Sequence, residues 1–279
     1  MNSLPLRIDA HQHFWKVERG DYGWLTPALK PLYRDFGPGD LAPLLEDAGV
    51  DRTILVQAAP TVAETRFLLE LAGRTDLVAG VVGWIDMESP DAATVLADLA
   101  QNPKLVGIRP MIHNIEDEAW ITRPDLAAAT EAVIDADLCF DALVRPQHLS
   151  YLLEFLERHP DLKTVIDHGA KPVITHGLWQ PWADGMSELA ERPGVNCKLS
   201  GLLTEAGPDQ GYEDLLPYME HLLATFGPER LMWGSDWPVL LLAGAYPGWF
   251  AIAERFLNSL DEADQAQVLG GTATRFYGV

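Results

Sequence analysis

The amino-acid sequence predicts an α/β protein with the architecture of a (β/α)8 TIM barrel. Three observations carry that expectation. Short apolar runs alternate with longer helical patterns from one end of the chain to the other, and the short runs number eight. The chain, at 279 residues, is long enough for eight strand–helix units, which need about 250. The rival open, doubly wound sheet often carries a phosphate loop of the GxGxxG or GxxxxGK[ST] kind, and neither occurs.

Each element has local chemistry behind it. The first apolar run, 7–11, leads into His11-Gln12-His13. The helical stretch 41–48 follows, with Leu41, Leu44, Leu45 and Ala48 on one face, Asp40 placed to cap it and Gly49 to stop it. After the second strand, 53–58, Thr61 and Glu64 make a capping-box pattern for a helix that Gly73 ends. The third strand is expected at 78–85. Ser89-Pro90 then places a cap and a first-turn proline before the helix 91–100, and the fourth strand covers 105–109. Helices at 124–135, 147–158, 182–191, 212–226 and 249–260 alternate with strands at 138–144, 164–168, 195–199 and 231–236. No linker, low-complexity tract or internal repeat divides the chain, so residues 1–279 are expected to form a single domain.

Composition narrows the class. Lys and Arg total 20 against 41 Asp and Glu, a net charge of −21, while 48% of residues are hydrophobic. That balance suits a folded globular protein and argues against nucleic acid or anionic membranes, which need clustered Lys and Arg. No run of 18 apolar residues suggests a membrane span, and Met1 to Arg7 lack the charged start and apolar core of a secretory signal. Cys139 and Cys197 form neither a disulfide framework nor a CxxC knuckle. A cytoplasmic location is the expectation.

A barrel places its catalytic groups at the C-terminal ends of its strands. His11 and His13, two apart after the first strand, can share a face toward the barrel mouth, where adjacent imidazoles suit a divalent metal or a polarised carbonyl. Asp236, in Trp-Gly-Ser-Asp-Trp-Pro, closes the last strand; it can bind metal or take a proton from attacking water, or simply cap the next helix. His168 ends the sixth strand, with Lys171 just beyond. Lys198, inside an apolar strand, must either pair with a carboxylate or meet a substrate oxygen, because an unpaired ammonium is costly to bury. Arg109 ends the fourth strand with the same choice. Trp15, beside His13, is the aromatic ring best placed to stack on a sugar face. No GxSxG elbow or HExxH motif is present, and both cysteines sit within strands, where thiols are commonly inert.

Taken in order, Ile-Asp-Ala-His-Gln-His-Phe-Trp (8–15), Val-Gly-Ile-Arg-Pro (106–110), Ile-Asp-His-Gly-Ala-Lys-Pro (166–172), Cys-Lys-Leu-Ser-Gly-Leu (197–202) and Trp-Gly-Ser-Asp-Trp-Pro (233–238) resemble the amidohydrolase superfamily. The likeness is to its lactone-hydrolysing branch (amidohydrolase family 2), which includes L-fuconolactonases, L-rhamnonolactonases and 2-pyrone-4,6-dicarboxylate lactonase. Members with two metals carry a bridging lysine on the fourth strand and a histidine on the fifth. Here those strands end at Arg109 and at Val144-Arg145, so a binuclear centre is not expected. The resemblance implies that no cofactor is strictly required, or that one divalent ion such as Zn²⁺ is held weakly by His11, His13 and Asp236.

The reaction expected is the opening of a sugar-derived lactone to its free acid. Asp236 would act as base, His11, His13 and His168 would steady the oxyanion, and Arg109, Lys171, Lys198 and Trp15 would bind substrate. Two of only six lysines, with Arg109, then suggest a locally basic mouth on an acidic protein. Two other readings stand beside it: a metal-dependent hydrolase or decarboxylase of the same superfamily acting on another ester, amide or aromatic acid, and a barrel that binds sugar acids without catalysis. The sequence leaves open which lactone is used and what the oligomeric state is, a homo-oligomer included.

Overall fold

The eight apolar runs become eight parallel strands in the computed structural model, which describes residues 6–279. They are β1 (Ile8–Gln12), β2 (Arg52–Val56), β3 (Val78–Gly83), β4 (Leu105–Ile108), β5 (Cys139–Ala142), β6 (Thr164–Ile166), β7 (Val195–Leu199) and β8 (Leu231–Trp233), each paired with the next in chain order. Residues just past β8 return to β1. Asp236 donates its N–H to the His11 carbonyl at 2.8 Å, and His13 donates to the Trp237 carbonyl at 2.7 Å. The ring of a (β/α)8 barrel therefore closes at the residues singled out for chemistry.

Several strands are shorter than expected at their C-terminal ends because the backbone leaves the ladder to build the mouth. After β6 it turns left-handed at His168 (φ 54°), and after β8 at Asp236 (φ 56°). Such conformations cost a non-glycine residue about 1–3 kcal/mol and persist only where the surroundings impose them.

Most helices follow the sequence patterns with local shifts: α1 (Pro38–Ala48), α2 (Val62–Ala72), α3 (Ala92–Leu99), α4 (Ala127–Asp135), α5 (Leu149–Arg158), α6 (Trp182–Ala190), α8 (Tyr212–Phe226) and α9 (Tyr246–Leu257), whereas the one-turn α7 (Leu202–Glu205) after β7 was not expected. Asp40 is not the residue before α1. The helix starts at Pro38, and the Asp40 carboxylate reaches back to the Gly37 N–H at 3.0 Å. Thr61 caps α2 as expected, accepting from the Glu64 N–H at 3.0 Å. The Glu64 carboxylate, however, does not close the box. It turns inward to accept from the backbone N–H of Ala58 at 3.1 Å and Ala59 at 2.6 Å, tying down the loop after β2. α9 begins three residues earlier than expected, since Pro247 serves its first turn.

Two apolar layers result. Leu41, Leu68, Leu96, Phe155 and their neighbours pack between the strands and the helix ring. Inside the barrel, Ile8, Ile54, Val56, Val82, Val165 and Met232 form a separate cluster, joined by Ala273 and Tyr277. These last two come from α11 (Thr272–Tyr277), which with α10 (Glu262–Ala266) was not expected from the sequence. Among the described residues no helix is long and apolar enough to cross a membrane. Both cysteines are free and buried, and burial pushes both thiols up, so neither is a ready nucleophile.

Candidate active site

β1 delivers two imidazoles to the mouth through an irregularity. Its pairing with β2 slips between Asp9 and Gln12, so the inward face passes from Ile8 and Ala10 to His11 and His13. The two Nε2 atoms then lie 3.3 Å apart. His13 Nδ1 donates to the Val56 carbonyl at 2.8 Å, which fixes one proton there and turns Nε2 into the site. Asp236 Oδ1 is 3.3 Å from that nitrogen and 3.8 Å from Nε2 of both His11 and His168. Two glycines permit the approach. A Cβ on Gly234 would fall 2.8 Å from His11 Cβ, and one on Gly201 would fall 2.7 Å from the His168 ring. The space left by Gly234 is thus filled by His11. His168 is held from its other side by Ser200, 2.8 Å from Nδ1.

Beneath this cluster lies a sealed charged layer. Lys198, fully buried, donates to Asp141 Oδ2 at 2.5 Å and sits 3.0 Å from Asp167 Oδ1 and 3.1 Å from His11 Nδ1. Tyr277 closes the chain from below, its hydroxyl donating to Asp141 Oδ2 at 2.9 Å. Arg109 lies across the barrel, with Nη1 3.2 Å from both Asp167 Oδ2 and His11 Nε2; Gln57 accepts from its remaining face through Oε1, at 2.8 Å, and through its carbonyl. A lone lysine here would be prohibitive, and two carboxylates with a tyrosine hydroxyl are what make it tolerable.

The charges set protonation. Burial, reinforced by the Lys198 charge, holds the His11 imidazole well below its usual range and therefore neutral. Burial would raise the Asp236 carboxyl, but attraction to His168 and the bond and charge of His13 outweigh it and keep the carboxyl below the usual range. Burial likewise lowers His168, with Asp236 opposing.

The donor set fits one small cation. Ligand atoms around a tetrahedral zinc with bonds of about 2.0–2.2 Å stand roughly 3.3–3.5 Å apart, close to the separations among His11 Nε2, His13 Nε2 and Asp236 Oδ1. His13 Nε2 and the Asp236 oxygen, 3.3 Å apart, likewise call for a proton or a cation between them. Arg109 and Lys198, both against His11, act against tight binding, since like charges repel strongly where water is excluded. A second group, His11, Asp167 and His168, shares His11 with the first, but Lys198 already fills the space beside its carboxylate.

Above the cluster opens a cavity of about 230 Å³, lined by His13, Arg109, His168, Lys171 and Asp236 with Trp24, His113 and Leu143 among its walls. Three expectations need correcting. Trp15 does not reach the cavity. It is fully buried, its N–H donating to the Arg34 carbonyl at 2.8 Å, and it packs edge-on against Trp24 and Phe36; Trp24 is the ring that faces the site. Lys198 is not a substrate contact but a brace below His11. The mouth is not net basic either, because Lys171 pairs with Glu205, and Arg109 with Asp167. His113, which the sequence places in a loop away from the strand ends, belongs to the site. Its Nδ1 finds no hydrogen-bond partner among the described residues. Burial, with help from Lys171 and Arg109, pushes this imidazole down to about 3.

The same arrangement has relatives. The sequence profile of the amidohydrolase family matches residues 8–279. An L-fucono-1,5-lactonase of Burkholderia ambifaria is 49% identical over 280 residues, covering 99% of this chain and 97% of that protein. An L-fucono-1,5-lactonase of Burkholderia multivorans is 37% identical over 289 residues, covering 98% and 96%. Among solved structures, an amidohydrolase from Burkholderia multivorans with bound zinc superposes with a TM-score of 0.93 at 37% identity, covering 98% of this chain and 99% of that one. A profile match that starts at the first residue of β1 and ends at the last residue of the chain leaves one assignment: this chain belongs to the amidohydrolase family.

Proposed function

We propose that the protein hydrolyses a sugar-derived 1,5-lactone, of the L-fucono type or a close relative, to the free aldonic acid. The observation that carries this reading is an ionised, buried carboxylate, Asp236, facing a one-ring cavity with three imidazoles within 3.8 Å of it. The full-length likeness to two L-fucono-1,5-lactonases supports the substrate class.

Asp236 takes a proton from a water in the cavity as the water oxygen bonds to the lactone carbonyl carbon. The carbonyl electron pair moves to its oxygen, and that developing charge faces the imidazoles and the Arg109 guanidinium, which are already in place and need no reorganisation. When the tetrahedral species collapses, the ring C–O bond breaks and Asp236 returns its proton to the departing ring oxygen. A carboxyl held below its usual range is a reluctant base but a willing acid, which suits this second step. Arg109 spends most of its donors on Gln57 and Asp167, so its part is chiefly positive charge, whereas Lys171 keeps donors beyond the one it gives Glu205 for substrate hydroxyls. A divalent ion held by His11, His13 and Asp236 would supply Lewis-acid polarisation of the carbonyl. A cytoplasmic location accords with two unpaired thiols.

Proton release from L-fucono-1,5-lactone, measured with and without chelator, tests the reading. Asp236→Asn should lower kcat by at least about 10²–10³-fold, the usual loss for a group that stabilises developing charge, while KM changes little. Near-normal turnover in that variant would sink the proposal.

A further inference from the structure

A second cavity of about 510 Å³ adjoins the catalytic one, sharing Trp24, Met111 and Asn114 as common wall. It is larger than the space in front of Asp236, and the reaction proposed above makes no use of it. Its chemistry is specific. The indoles of Trp24, Trp84 and Trp120 line it, three of the nine tryptophans of the chain. Flat aromatic faces beside a few polar groups are what a sugar ring needs, with C–H surface against the indoles and hydroxyls toward acceptors.

The acceptors are carboxylates. Glu88 receives the Trp120 N–H and is paired with Arg123 at 3.0 Å, and Asp21 is paired with Arg19 at 2.6 Å. Asp86 is exposed and has no ion-pair partner among the described residues; its Oδ1 accepts from the Glu88 N–H at 3.1 Å, and its Oδ2 is left to accept from a hydroxyl. With Glu88 and Asp21 each matched by an arginine, Asp86 leaves the wall one negative charge in excess, which disfavours an anion. An aldonate or a dicarboxylate is therefore a poor occupant, and an uncharged polyol ring is a good one.

From this juxtaposition we infer that the tryptophan-lined cavity is a subsite for a second, neutral sugar ring carried on the lactone, so that lactones of disaccharide aldonic acids are also substrates. The inference rests on the lactonase reading and adds a binding site to it. A ring attached to the lactone on its Trp24 side passes the shared wall and stacks on Trp84, whose backbone is fastened independently: Thr65 Oγ1 accepts its N–H at 2.8 Å and donates to its carbonyl at 2.9 Å. Trp84 touches none of the groups around Asp236 and is half-buried, so its indole can be removed without disturbing the catalytic cluster.

The test compares kcat/KM for D-glucono- and D-galactono-1,5-lactone with that for cellobiono- and lactobiono-1,5-lactone, in the parent protein and in Trp84→Ala, Trp84→Phe and Asp86→Ala. Loss of the stacking face should cost the disaccharide lactones about tenfold, the worth of one good aromatic contact, and leave the monosaccharide lactones within about twofold. Trp84→Phe should restore most of the loss, and Asp86→Ala should reproduce part of it. The inference is overturned if monosaccharide lactones are hydrolysed and disaccharide lactones are not, or if Trp84→Ala depresses both classes alike. Quenching of tryptophan fluorescence by methyl β-cellobioside judges the subsite apart from the chemistry. Saturable quenching lost in Trp84→Ala supports it even if no lactone of either class turns over, a result that would instead fell the lactonase reading. No saturable quenching with a hydrolysing enzyme counts against the subsite alone.

Discussion

Asp236 is set by three influences that pull in different directions. Its backbone is left-handed, its carboxyl is buried, and yet attraction to His168 and His13 keeps it ionised. His113 shows the opposite outcome. Burial and nearby cations keep that imidazole neutral down to about 3, against an ordinary value of 6.5. Between these values the unfolded chain binds a proton at this position and the folded protein does not. Stability therefore rises with pH across the window from about 3 to 6.5 and gains nothing further from His113 above it. His113→Gln should flatten part of that acid-side slope, as measured by urea midpoints from pH 4 to pH 8, and should raise KM more than it lowers kcat. An unchanged slope would mean that His113 is solvated. His11, His13, His168 and Asp236 were visible in the sequence because each closes a strand. Asp141, Asp167 and His113 were not, because each matters only through groups that folding brings to it from far along the chain.

Elements act on the site from a distance. The slip in β1 turns two histidines inward, and the turn after β6 swings His168 over Ser200. The C-terminal helix α11 does more than plug the barrel, since the Tyr277 hydroxyl holds Asp141, Asp141 holds Lys198, and Lys198 abuts His11. Tyr277→Phe should cost about 1.5–3 kcal/mol, the usual range for a hydrogen bond to a charged group, and should reduce kcat while leaving KM nearly unchanged. Urea unfolding and steady-state kinetics check the two parts separately; loss of stability with kcat intact would confine Tyr277 to a structural role. The strands and long helices were legible from periodicity, but α10 and α11 were not. Their short run, Glu262–Ala266 and Thr272–Tyr277 around a glycine pair, lacks a sustained apolar face, and only the open end of the barrel gives Ala273 and Tyr277 something to cover.

For the whole molecule, the net charge of −21 is an exterior property, while the cations of the mouth are already matched by Asp167 and Glu205. Anionic lactones should therefore be slowed by long-range repulsion that salt relieves. Raising ionic strength from about 0.01 to 0.15 M shortens the screening length from about 30 to 8 Å, so kcat/KM should rise for 2-pyrone-4,6-dicarboxylate and stay within about twofold for a neutral sugar lactone. Equal salt responses for the two substrates would show that the acidic exterior does not reach the site. Charge, strand count and strand-end chemistry are properties of composition and local pattern, and they sufficed for the barrel and for the residues around Asp236. The fates of Trp15, Lys198 and Arg109 were not open to that kind of reasoning. Whether a tryptophan faces a cavity or the core, and whether a cation meets substrate or a carboxylate, depends on neighbours supplied by other strands. For Lys198 those neighbours are Asp141 on β5 and Asp167 just past β6, and no feature of its own segment announces them.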